Sequence, residues 1–295
     1  MSKGKAYLII SSIAYGIAPV FTVAAGKNGV NSMTITFLRS ILSLPVLLIM
    51  IRANGVSLKI SRTQIRHILI LSVFGATVPI LTLYLAYSYI STGLATTLHF
   101  IYPLVIVLSC AVLYGEKVSP FKMLAVVAVT LGIFMFADID GPSSKVGIIL
   151  ALISGVFYGF YVLYMDKSGL DDMNYLKLTF YITLFMGITV LISGAAIGGI
   201  NFKNITIEGW MYSTLVSVII TLISLPLFQL GVRLEGAQTA GILSTLEPLT
   251  SITMGRIFLN ESISSMQYLG IAMILMGIVI LETKELPHKT RQPHH

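Results

Sequence analysis

Positions 68–115 read ILILSVFGATVPILTLYLAYSYISTGLATTLHFIYPLVIVLSCAVLYG, 48 consecutive residues without Asp, Glu, Lys or Arg. Positions 178–202 and 209–232 are equally bare. The whole chain of 295 residues is 56% apolar and 11% charged, against roughly 25% charged in an average soluble domain. A water-soluble globule of this length still exposes about a quarter of its unfolded surface. It could not hide such runs. The composition excludes a soluble enzyme, a disordered chain and a disulfide scaffold, and it points to a polytopic helical membrane protein.

The net charge of +7 does not indicate nucleic acid, because the basic residues sit between apolar runs rather than on a basic domain. The one cysteine, Cys110, lies inside an apolar run and cannot form an intrachain disulfide. The N-terminal segment resembles a signal peptide, but no A-x-A-like cleavage site follows it. It is read as a first membrane span.

A span needs about 20 apolar residues to cross about 30 Å of hydrocarbon. Ten such segments are expected, at 6–25, 32–52, 68–90, 93–114, 121–138, 146–165, 175–197, 209–231, 237–258 and 266–283. The connection 53–67 is read as a loop. With the N-terminus in the cytoplasm, fourteen Lys and Arg fall on the cytoplasmic side. Lys27, Lys145, Lys203 and Arg256 fall outside, and Arg39 lies within a span. The positive-inside rule therefore predicts that both termini are cytoplasmic.

The chain also repeats. At an offset of 145, Ala95 matches Ala240, Leu98 Leu243, Pro103 Pro248, Leu104 Leu249, Glu116 Glu261 and Gly132 Gly277. At an offset of 143, Tyr15-Gly16 matches Tyr158-Gly159 and Phe37 matches Phe180. The expected fold is all-α, ten transmembrane helices in a 5+5 inverted-topology repeat. The expected units are residues 1–140, residues 141–284 and a polar cytoplasmic tail at 285–295. Five is odd, so the halves cross the membrane in opposite senses, as in alternating-access carriers.

Ionisable groups at membrane depth are costly, by about 2.5–3.5 kcal/mol on insertion scales. Three stand out. Arg39 can meet a substrate carboxylate, pair with Glu247, or bond backbone carbonyls as a structural residue. His99 is four residues before Pro103, on the same helical face. Its ordinary pKa of about 6.5 makes it a candidate proton carrier. Glu247 can bind a substrate amine, take up a proton, or belong to a structural ion pair. Pro103 and Pro248 each remove a backbone N–H, and their freed carbonyls need another partner. They are expected as helix breaks, beside a central cavity or as hinges. Tyr15, Tyr84, Tyr87, Tyr102, Tyr158 and Tyr161 carry hydroxyls that need partners, either in a pocket or in helix packing. Gly155 and Gly159 form a G-x-x-x-G step that favours close helix contact. Gln229 is a candidate cytoplasmic gate contact.

The segments LHFIYPLVIVLSCAVLYGEKVS (98–119) and LSTLEPLTSITMGRIFLNESIS (243–264) resemble the signature of the EamA family, in the drug/metabolite transporter superfamily. Gly115-Glu116 matches the family's Gly-Glu pair, while Asn260-Glu261 departs from it at the glycine. The run TFLRS (36–40) resembles the family's second helix, with Arg39 at its arginine. The resemblance implies export or exchange of small metabolites across the bacterial inner membrane, with amino acids a frequent class. It further implies that the fifth and tenth spans are peripheral, where they could support a homodimer. The expected activity is secondary transport or facilitation around a central cavity. The expected partners are the bilayer and a small-molecule substrate, with His99 and Glu247 as candidates for proton coupling. No cofactor or metal is expected, and no Walker or metal-binding motif occurs. The alternatives are an integral membrane enzyme or a lipid-translocating protein. Five histidines in scattered positions do not assemble a catalytic constellation.

Overall fold

The computed structural model describes residues 1–86, 89, 95, 98–115, 118–135, 145–197, 199–259 and 265–284. These residues are helical throughout, with turns and short connections and without a strand. The helices are α1 (Lys3–Lys27), α2 (Ser32–Ala53), α3 (Arg62–Ile70), α4 (Val78–Ala86), α5 (Tyr102–Tyr114), α6 (Pro120–Phe134), α7 (Lys145–Lys167), α8 (Tyr175–Ile197), α9 (Ile207–Val216), α10 (Leu225–Leu243), α11 (Leu246–Leu259) and α12 (Ser265–Lys284). Wide π-helical turns, Leu71–Thr77 and Ser217–Ser224, join α3 to α4 and α9 to α10 without a break. Among the described residues, six helices are long and apolar enough to cross a membrane, and three shorter apolar helices accompany them.

Polar side chains set the helix starts. Asn31 accepts the Thr34 N–H at 2.8 Å. Ser61 and Gln64 form a reciprocal capping box, which satisfies two otherwise orphaned donors. The expected loop 53–67 is therefore helical from Arg62 onward.

Both π turns precede a proline by two residues: Thr77 before Pro79, and Ser224 before Pro226. Proline has no N–H for the carbonyl four residues back, and its ring crowds that carbonyl. Widening the turn relieves the crowding. The hydroxyl ahead of each proline bonds five residues back. Thr77 Oγ1 donates to the Ser72 carbonyl at 2.9 Å, and Ser224 Oγ donates to the Ile219 carbonyl at 2.8 Å.

The fourth and ninth expected spans are less regular than continuous helices. Pro103 sits in the first turn of α5, and Pro248 in the first turn of α11. Both lie near the middle of an expected span, where the sequence predicts a helix break. At a helix start the missing N–H would have lacked an intrahelical partner anyway. Ser244 and Thr245 separate α10 from α11. The expected boundary between the eighth and ninth spans is a kink within α10 at Gly236, whose φ of 80° is left-handed.

Packing brings these interruptions together. α1 lies along α10 and α11, α7 along α4 and α5, α2 along α8, and α6 along α12. Two glycines permit the closest approaches. A Cβ on Gly155 would stand 2.5 Å from the His99 carbonyl oxygen, and one on Gly16 would stand 2.5 Å from the Glu247 carbonyl oxygen. The expected close contact of the G-x-x-x-G step is thus made within the chain, by Gly155 and Gly159 against residues 99–105.

The interior is rich in hydroxyls. Ser11, Ser40, Ser72, Thr77, Ser154, Thr179, Thr183 and Ser224 are buried. The outer faces are apolar: Val112 is 79% exposed, Leu113 71% and Ile49 67%. A polar inside and an apolar outside suit lipid, where the interior must satisfy its own polar groups.

Candidate functional site

One cavity of about 140 Å³ lies where α1, α2, α4, α7, α8, the two π turns, His99 and the start of α11 converge. Six of the residues expected from sequence line it: Tyr15, Arg39, His99, Tyr158, Tyr161 and Glu247. Gly75 and Ala76 come from the first π turn, Ile220 and Thr221 from the second, and Ile182 and Met186 from α8. Tyr102 stands behind the wall, with its ring 4.8 Å from Tyr158 and 5.8 Å from His99. Pro103 and Pro248 are not among the lining residues. The side chain of Tyr84 and all of Tyr87 lie outside the described residues, as do Glu116, Glu261 and the tail.

Arg39 points its guanidinium at α8, where Nη2 donates to Met186 Sδ at 3.3 Å. Its Nε is buried without a hydrogen-bond partner. Ser43 and Ser217 each donate to the Arg39 backbone carbonyl at 2.9 Å, which anchors α2 against the second π turn. Pairing with Glu247 was one of the alternatives for Arg39, and among the described residues the two form no ion pair. The two ionisable side chains face one space from different helices. Glu247 sits in the first turn of α11, where the helix dipole favours negative charge.

The aromatic wall is continuous. Tyr158 and Tyr161 stack with centroids 5.7 Å apart, and Tyr158 lies 5.3 Å from the His99 ring. Tyr161 in turn stacks on Phe228 at 6.5 Å. Gln229, the expected gate contact, is buried and accepts the Thr179 hydroxyl at 3.0 Å. His67, on α3, meets the Tyr164 hydroxyl through Nδ1 at 2.5 Å, away from the cavity.

Sequence reasoning missed Pro79, Met186 and the two π turns. A signal for the turns was present: hydroxyl-x-Pro occurs as Thr77-Val78-Pro79 and again, 147 positions later, as Ser224-Leu225-Pro226. Met186 carried none, because a methionine in an apolar helix reads as packing.

Apolar helices with lipid-suited outer faces, enclosing a polar-aromatic cavity, define a multi-pass membrane protein of the transporter type. The chain belongs to the EamA-like transporter family, whose profile matches residues 2–137 and 145–283. It is similar to an uncharacterized transporter of Archaeoglobus fulgidus, with 27% identity over 95% of this chain and 96% of that protein. An uncharacterized transporter of Synechocystis sp. is 25% identical over 70% of this chain and 64% of its own length. The uncharacterized inner membrane transporter YicL of Salmonella typhimurium is 22% identical over 95% of both. A crystal structure superposes with a TM-score of 0.80 at 15% identity, covering 96% of this chain and 99% of the other. At that identity it speaks for the fold alone.

Proposed function

We propose that the protein is a secondary carrier or facilitator for small zwitterionic metabolites, with small amino acids as the substrate class, exporting or exchanging them by alternating access. The observation that carries this reading is the cavity lining. Arg39 and Glu247 offer opposite charges to one space without pairing with each other. The guanidinium suits a carboxylate, and the carboxylate suits an ammonium group. The remaining wall is aromatic and aliphatic, as a small-ligand site requires. The size of about 140 Å³ is close to the ~150 Å³ of a cavity that holds benzene. It favours alanine- to valine-sized ligands over tryptophan.

The domain organisation we propose is two inverted five-helix units, residues 1–140 and 141–284, followed by a cytoplasmic tail. Two features support it. The family profile matches one segment on each side of residue 140. The packing of α1 on α10 and α11 also parallels that of α7 on α4 and α5. Under this pairing Tyr15 and Tyr158 are equivalent, whereas Arg39 pairs with Ile182, Tyr102 with Glu247, and His99 with Ser244. The cavity thus takes its polarity from the positions at which the halves differ. Such a dipolar site would bind a zwitterion in one orientation. The basic-residue asymmetry supports cytoplasmic termini, and the name of the inner membrane transporter of Salmonella typhimurium supports that membrane as the location.

The test is counterflow in proteoliposomes loaded in turn with alanine, serine, valine, tryptophan, a simple amine and a nucleoside. Exchange of the small amino acids is expected. Folded protein that exchanges none of the panel contradicts the reading.

Coupling to protons through His99 or Glu247 is a separate proposal. These are the two groups in the described lining whose ordinary ranges lie nearest neutrality. An inward-acid pH step should then drive alanine flux in the wild type and fail to do so in Glu247→Gln or His99→Gln. Equal flux with and without the step overturns coupling and leaves facilitated exchange.

A further inference from the structure

We infer that Ser154 is a positioning residue that holds His99 in its Nδ1–H form, so that His99 presents Nε2 to the cavity as a hydrogen-bond acceptor. The inference deepens the substrate reading above and rests on it for the ligand. Its structural half stands on hydrogen-bond geometry alone.

Two contacts meet at the Ser154 hydroxyl. Ser154 Oγ lies 2.6 Å from the Pro79 carbonyl oxygen and 2.8 Å from His99 Nδ1. Two oxygens at the shorter distance need a proton between them, and a carbonyl has none to give. The single hydroxyl proton is therefore committed to Pro79. Ser154 Oγ has only lone pairs left for the imidazole, so Nδ1 must be the donor. The tautomer follows from this donor count rather than from any observed hydrogen. In the neutral ring Nε2 then carries the lone pair. Within the described residues His99 makes no hydrogen bond through Nε2, while the ring lines the cavity.

The surroundings hold the relay rigid. Ser154 is fully buried. Its neighbour Gly155 brings the α7 backbone against the His99 carbonyl at a distance no side chain would tolerate. Tyr158, one helical turn further along, packs its ring at a tilt against the imidazole, with centroids 5.3 Å apart. Pro79 fixes the other end of the relay, just past the first π turn. A comparison within the molecule isolates the role of His99. In the paired position of α1, Ser11 Oγ donates to the Ser224 carbonyl at 2.8 Å, beside the second π turn. Under the same pairing the counterpart of His99 is Ser244, whose hydroxyl returns to the Ala240 carbonyl at 2.7 Å. The hydroxyl-to-carbonyl bond occurs on both sides, and the imidazole on one only.

The consequence is a specificity rule. Besides the Arg39 donors, the Glu247 acceptor and the tyrosine and Thr221 hydroxyls, which can donate or accept, the described lining offers His99 Nε2 as a neutral acceptor that cannot donate, and it favours ligands with an N–H or O–H at that point. Losing an oriented neutral hydrogen bond weakens binding by about tenfold at most.

The experiment uses full-length protein labelled with ¹⁵N-histidine, in bilayers. His99 is identified as the resonance pair lost in His99→Gln. In the wild type its Nδ1 is expected protonated and its Nε2 bare. Ser154→Ala should give a mixed or Nε2–H population, Ser154→Thr should restore the wild-type pattern, and Ser11→Ala should leave it unchanged. In counterflow with radiolabelled L-alanine, Ser154→Ala should raise KM by up to about tenfold, with rescue by Ser154→Thr. A wild-type His99 protonated on Nε2 alone, or a tautomer unmoved by Ser154→Ala, overturns the proposal. If the tautomer behaves as expected but no L-alanine exchanges, the substrate reading fails and the role of Ser154 stands.

Discussion

At the scale of the residue, the cavity depends on groups left without an internal partner. Arg39 spends one donor on the Met186 sulfur and keeps Nε unbonded. A thioether is a weak acceptor, so most of the hydrogen-bonding capacity of the guanidinium is uncommitted. We expect Arg39→Gln to raise KM for alanine by roughly 10- to 100-fold in counterflow, the range for losing a charge-assisted hydrogen bond of about 1.5–3 kcal/mol. Arg39→Lys should recover only part of it, because an ammonium lacks the planar fork. A KM unchanged in Arg39→Gln would make the arginine structural. These residues were legible from sequence for one physical reason: a charge, an imidazole or a phenol inside an apolar run has no cheap place except against another polar group or a cavity. Ser154 and Met186 were not legible. Buried hydroxyls are common here, and their meaning depends on which carbonyl or ring another helix brings to them.

At the scale of the element, helix interruptions shape the site more than helix length does. The π turns before Pro79 and Pro226 carry four of the lining residues, and α11 starts at the level of Glu247. The sequence pointed to Pro103 and Pro248 as breaks, since a proline in an apolar segment must disturb it. It left open whether the helix kinks or restarts. The outcome depends on neighbours, here the glycines that let α7 and α1 approach. Gly155→Ala would place a methyl 2.5 Å from the His99 carbonyl oxygen. We expect a loss of about 1–3 kcal/mol from overpacking, read as a lower unfolding midpoint in detergent. Gly26→Ala, within α1 and with nothing within 4 Å of the new methyl, should leave the midpoint unchanged or raise it. Equal effects of the two substitutions would contradict this packing.

At the scale of the whole molecule, the charge distribution and the repeat make separate claims. Apolar runs without charge were enough to predict a helical membrane protein, because hydrocarbon tolerates no other arrangement of such segments. The opposite senses of the two halves rest on the count of spans and on the basic-residue asymmetry, and they are tested directly. In a Cys110→Ala background, Asn204→Cys should react with a membrane-impermeant maleimide on intact cells, and Ser57→Cys only after permeabilisation. Both positions are exposed. The reverse pattern would invert the topology.

The most direct test of the dipolar cavity is a competition series of ligands of similar size, measured against radiolabelled alanine in wild type and Glu247→Gln proteoliposomes. Alanine should compete best in the wild type, with propionate and ethylamine both at least about tenfold weaker, since each lacks one charge-assisted contact. In Glu247→Gln the advantage of alanine over propionate should vanish. Ethylamine competing as well as alanine in both proteins would contradict a site built for a zwitterion.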